Sequence, residues 1–121
     1  MATFSKTTLS SSTDGRGIKI TATASGGTTI HTAPDNATTY DEIWLYVQNT
    51  SASDVKLTVQ WGGTVSPDDD IEVTVAAEAG LMLVVPGLVL KGNPSAIRVV
   101  RAFAATPNVL TIHGYANRIT A

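Results

Sequence analysis

The sequence predicts an all-β chain: an antiparallel β-sandwich, jelly-roll-like, with an extended N-terminal arm. Apolar and polar residues alternate with a period of two, most clearly through Ile43, Leu45 and Val47 and again through Val55, Leu57, Val59 and Trp61. That is the period of a strand with one buried face. Clusters of Gly, Pro, Asn, Asp and Ser recur at a spacing of about 8 to 12 residues, as expected for short strands joined by turns. No window carries a convincing helical period, and the one alanine-rich piece, Val75 to Gly80, is too short to stand as a helix. Two sheets that cover each other's apolar faces are the economical solution.

Residues 1–17 hold one large apolar pair, Phe4 and Leu9, among Thr, Ser and Lys, and close on the turn Asp14-Gly15-Arg16-Gly17. With little to bury, they are expected to form an arm that orders only against another surface, leaving 18–121 as the sandwich domain. Ile18, Ile20, Ala22 and Ala24 predict a first strand with a thin apolar face; Gly26-Gly27 turns the chain into a short strand, Thr28 to Thr32, before a loop to Tyr40. The stretch Asp41 to Trp61 is the centre of the chain. Its two strands, separated by the turn-forming residues Asn49 to Asp54, read as an antiparallel hairpin. Ile43, Leu45, Val47, Val55, Leu57, Val59 and Trp61 are the expected core, with Trp44 and Tyr46 on the opposite face.

Thr64 to Asp70 reads as a loop and Ile71, Val73 and Val75 as a strand. Leu81 to Val85 is nearly all apolar, as for a strand buried on both sides, and Pro86-Gly87 reads as a type II turn before Leu88 to Leu90. Ala96 to Ala104 is expected to be a long strand with Ile97, Val99 and Phe103 on one face; Val109 to Tyr115 closes the sheet before a tail.

At 121 residues the chain is of single-domain size and long enough to hold a core without staples. There is no cysteine, which removes disulfides, thiolate nucleophiles and cysteine metal sites. The first residues lack the apolar segment of a signal peptide, and no run approaches about 18 apolar residues, so a soluble chain made in the cytoplasm, with no membrane partner, is expected. Eight Lys plus Arg stand against ten acidic residues, a net charge of -2 with no basic cluster, which speaks against nucleic acid. Only 15% of residues are charged, and Thr, Ser, Asn, Ala and Gly take their place. That composition suits a surface packed against neighbours.

His31 and His113 fall at polar positions of predicted strands and read as surface or interface residues, since two imidazoles bind a metal only if pairing adds a carboxylate. Asp68, Asp69 and Asp70 are consecutive, without the alternating spacing of a calcium loop, and read as a solvated loop in which one Asp satisfies turn amides. Asp41 and Glu42 face opposite ways along a strand, so only one can enter any cleft. Asn36-Ala37-Thr38 and Asn49-Thr50-Ser51 match the glycosylation triplet and read as turns. No nucleophile elbow, phosphate loop or zinc-helix motif is present, so neither enzyme activity nor a metal or cofactor is expected. Trp44 and Tyr46 are the informative side chains, because aromatics on a strand face either anchor a protein interface or stack on sugar rings.

Trp44, Asn49-Thr50-Ser51, Val59-Gln60-Trp61-Gly62-Gly63, Val85-Pro86-Gly87 and the closing Gly114-Tyr115-Ala116-Asn117-Arg118-Ile119 give residues 40 to 120 a pattern that resembles the decoration or cement proteins of tailed bacteriophages. The resemblance implies a β-sandwich on the outside of the phage head, a homo-oligomer with the trimer as the expected form, and a major capsid protein as partner. It implies no catalytic residue. The side chains expected at the oligomer or capsid interface are then Phe4, Leu9, Trp44, Tyr46, Tyr115 and Arg118. A neck or tail component of the same particle and a carbohydrate-binding module are the alternatives.

Overall fold

The computed structural model describes residues 2–121. Nine strands are formed: β1 (Thr3–Thr8), β2 (Ile18–Lys19), β3 (Thr28–Thr32), β4 (Thr39–Asn49), β5 (Val55–Trp61), β6 (Asp70–Val75), β7 (Met82–Lys91), β8 (Val99–Ala104) and β9 (Leu110–Thr120). One sheet runs β1-β9-β4-β7, with β2 also paired to β9; the other runs β3-β8-β5-β6. All pairs are antiparallel. This order is that of a jelly roll, in which successive strands mostly pass from one sheet to the other.

Period two sets which residues face inward. Along β4, Thr39, Asp41, Ile43, Leu45, Val47 and Asn49 are buried, and the residues between them are half-buried on the outer surface. Val55, Leu57 and Val59 of β5 face them from the other sheet, with Ile20, Ile30, Val100, Leu110 and Ile112 completing the core. Each such side chain contributes ~1.5–3 kcal/mol on burial. Trp61 is partly buried against this core.

β4 and β5 do not form the expected hairpin. β4 pairs with β7 and β9, while β5 pairs with β6 and β8. Residues 50–54 carry the chain across the sandwich, so both strands have the inward phase read from their sequences but from opposite sheets. Buried Asn49 brackets the crossing: its amide donates to the Ser53 and Val75 carbonyls at 2.9 and 3.1 Å, and its Oδ1 accepts from Ser51 N at 2.9 Å.

Three further expectations are corrected. Residues 3–8 are an edge strand, paired along their length with Tyr115–Thr120, and Leu9 is only 1% exposed within its own chain's core. The arm is thereby part of the sandwich, because the unpaired edge of β9 supplies backbone partners that its side chains do not. β7 is an edge strand and not one buried on both sides. Leu83 and Val89 are exposed, and Pro86-Gly87 forms a bulge within one continuous strand, a place where the missing N–H of proline is tolerated. In β8 the buried residues are Val100, Ala102 and Ala104, whereas Val99, Arg101 and Phe103 lie half-buried outside and Ile97 precedes the strand, exposed.

Candidate functional site

The outer face of the five-stranded sheet collects most of the aromatic and functional side chains. Register across β1, β9 and β4 places them in rows: Phe4, Ile119 and Tyr40; then Lys6, Asn117 and Glu42; then Thr8, Tyr115 and Trp44. His113 and Tyr46 follow, with Leu83 of β7 beside Tyr46. A polar row is thus flanked by an apolar row and an aromatic row.

Trp44 lies along the sheet. Its ring is stacked 14° from the plane of Tyr115, at 6.3 Å between centroids, and passes over Gly87. Gly87 has φ +80°, and a Cβ there would stand 2.9 Å from the indole, so glycine both makes the bulge and admits the ring. Trp44 Nε1 donates to Glu42 Oε1 at 2.9 Å, and Asn117 Nδ2 donates to the same oxygen at 3.0 Å. These two bonds hold the Glu42 carboxyl below its usual range. Lys6 Nζ sits 4.8 Å from the centroid of the Tyr115 ring. Phe4, Ser5, Lys6, Glu42, Asn117 and Ile119 line a shallow open groove of about 400 Å³.

A second polar cluster is buried beneath this face. Arg118 Nε and Nη2 fork onto Asp41 Oδ1 and Oδ2 at 2.8 and 2.9 Å. His31 Nε2 is 2.7 Å from Asp41 Oδ2, and Ser10 N donates to His31 Nδ1 at 3.0 Å. The amide bond at Nδ1 places the imidazole proton on Nε2, where it is donated to Asp41. Burial opposes ionisation of Asp41, but the hydrogen bonds from Arg118 and His31, with the charge of Arg118, outweigh it and bring the carboxyl down to about 2. The same pairing raises Arg118.

Ser10, His31 and Asp41 have the composition of a nucleophile relay. Ser10 Oγ is 3.0 Å from Nδ1, but the single Nδ1 lone pair is already taken by the Ser10 amide. The hydroxyl accepts from Thr32 N at 3.0 Å and donates to the Thr32 carbonyl at 3.3 Å. The groups close on one another, and the cluster acts as a clamp joining the N-terminal segment, β3, β4 and β9.

Of the six residues expected at an interface, Phe4 is 72% exposed, Trp44, Tyr46 and Tyr115 are half-buried on the outer face, Leu9 is in the core, and Arg118 spends its fork on Asp41 of its own chain. His31, expected at the surface, is buried; His113 remains half-buried, with Nε2 at 3.0 Å from Gln48 Oε1. Lys6 was not singled out from sequence, Glu42 was weighed only as half of an acid pair with Asp41, and Asn117 only as part of the closing segment. The signal for Asp41 was its phase: an acid in step with Ile43, Leu45 and Val47 needs a partner inside.

In the acidic loop, Asp69 Oδ2 accepts from Val65 N at 3.0 Å and Asp70 Oδ2 from Ser66 Oγ at 2.8 Å, fastening the loop to itself. Among the described residues no group of three or more His, Asp or Glu could hold a metal ion. No protein-family model, curated protein or solved structure matches this chain.

Proposed function

We propose that the chain is a structural virion protein that binds the outside of a bacteriophage head and stabilises contacts between major capsid subunits. The observation that carries the reading is the apolar strip along edge strand β7. Leu83, Leu88 and Val89 are 46, 44 and 52% exposed, and Leu81, just before the strand, is 62% exposed. Side chains of this kind grouped at a sheet edge favour contact with another surface. A jelly roll in a chain with few charges, together with the resemblance of its residue pattern to decoration proteins, supports the same reading.

A decoration protein stabilises a shell by binding the assembled lattice better than its free subunits, so occupancy feeds back on particle stability by mass action. Closed symmetry repeats one modest contact on each copy, and avidity makes the sum tight. Here β7 offers a contact for a neighbouring copy or a capsid subunit.

Heads assembled without the protein, mixed with the purified chain and sedimented, test the proposal. Saturable binding that raises the temperature of head disruption is expected, and Leu83→Ser with Val89→Ser is expected to weaken it. Binding to isolated tails but not to heads would replace the proposal with a neck or tail role.

A further inference from the structure

The groove at the other side of the same sheet face, between β1, β9 and β4, has a chemistry distinct from the apolar strip of β7. We propose that it binds a neutral glycan, with a pyranose ring against Phe4 and adjacent hydroxyls on Glu42, Asn117 and Lys6. This inference does not depend on where the protein sits on a particle.

Glu42 is fixed before any ligand arrives. Its Oε1 takes both the Trp44 indole N–H and the Asn117 amide, and among the described residues Oε2 makes no hydrogen bond. Asn117 Oδ1 likewise has no partner among them, and Lys6 Nζ bonds to no carboxylate. The groove therefore presents two oriented acceptors and one donor, a set that matches vicinal hydroxyls, each of which both donates and accepts.

Charge selects against the other ligand classes. Glu42 and Lys6 offset each other in one row: an anion drawn to Lys6 is repelled by Glu42, and a cation drawn to Glu42 is repelled by Lys6, so neither gains on balance. A wholly apolar protein ridge would strip water from Lys6, Glu42 and Asn117 without replacing those bonds. A neutral polyol meets none of these penalties, and its C–H face can lie on the exposed Phe4 ring.

The test is a nuclear magnetic resonance titration of the full chain, reading the Trp44 indole N–H and the Asn117 side-chain amide. The probes are neutral trisaccharides of glucose, galactose, mannose and N-acetylglucosamine, with sialyllactose, chitotriose freed of its acetyl groups and tetra-arginine for comparison. Saturable shifts with at least one neutral sugar are expected, with every charged probe weaker by at least about tenfold. Phe4→Ala, at an exposed edge position, and Glu42→Ala should each weaken the sugar by about tenfold or more, while Lys56→Ala on the opposite sheet should leave it unchanged. The inference is overturned if no neutral sugar gives a saturable shift up to about 20 mM, if a charged probe binds as well or better, or if Phe4→Ala binds like the wild type.

Discussion

Asp41 sits without solvent exposure between Arg118 and His31, and its charge has a measurable consequence. Its carboxyl titrates at about 2 when folded, against 3.8 ordinarily. Between those values the unfolded chain holds the extra proton, so the contribution is complete above about pH 4 and is lost as pH falls toward 2, on the order of 2 kcal/mol. Urea unfolding of wild type and Asp41→Asn at pH 5 and pH 2.5 checks this; the variant should lose most of that difference. Arg118→Ala leaves a buried carboxylate with one partner fewer and should cost ~3 kcal/mol at neutral pH, read from the same unfolding curves. The fork geometry of Arg118 was foreseeable from its chemistry, but its partner was not. Asp41 and Arg118 lie 77 positions apart and meet only because β4 and β9 pair, Asp41 opposite Arg118.

At the scale of elements, the N-terminal segment divides at Leu9. The side chains of β1 are mostly exposed, whereas Leu9 is buried and Ser10 joins the clamp. Deleting residues 2–8 should lower the melting temperature by a few degrees, while deleting 2–15 should lower it by more than about 10 °C, since loss of a buried Leu alone costs ~2–5 kcal/mol. Gly114 makes a comparable prediction within a strand. A Cβ there would collide with the Trp44 carbonyl oxygen, so Gly114→Ala must push β9 from β4, and a stability loss of ~2 kcal/mol or more in thermal unfolding is expected. Strand phase was legible for β4 and β5 because alternation marks the buried face directly. In β8 it misled: bulky Val99 and Phe103 suggested the inner face, but the space between the sheets there is filled by Val100, Ala102 and Ala104. Apolar residues in β7 likewise marked an exposed edge instead of a doubly covered strand.

For the whole molecule, alternation with frequent turns was enough for the sandwich, but which strands pair was beyond it. In a jelly roll most connections cross between sheets, and among the described residues only β5 and β6 are consecutive strands that pair with each other. The outer-face groove was hidden for the same reason, since Lys6, Glu42 and Asn117 come from three strands distant in sequence. An apolar edge in a chain of low charge leads us to expect self-association. Sedimentation should show a trimer, on the particle if not free, and Leu83→Ser with Val89→Ser should shift it toward monomer. The most direct measurement is an electron-microscopic reconstruction of the particle that carries the protein. The proposed role requires this jelly roll on the outer surface of the head, at symmetric positions over neighbouring capsid subunits, with the β7 strip covered. Density confined to the neck or tail, or a β7 strip facing solvent in every copy, would contradict it.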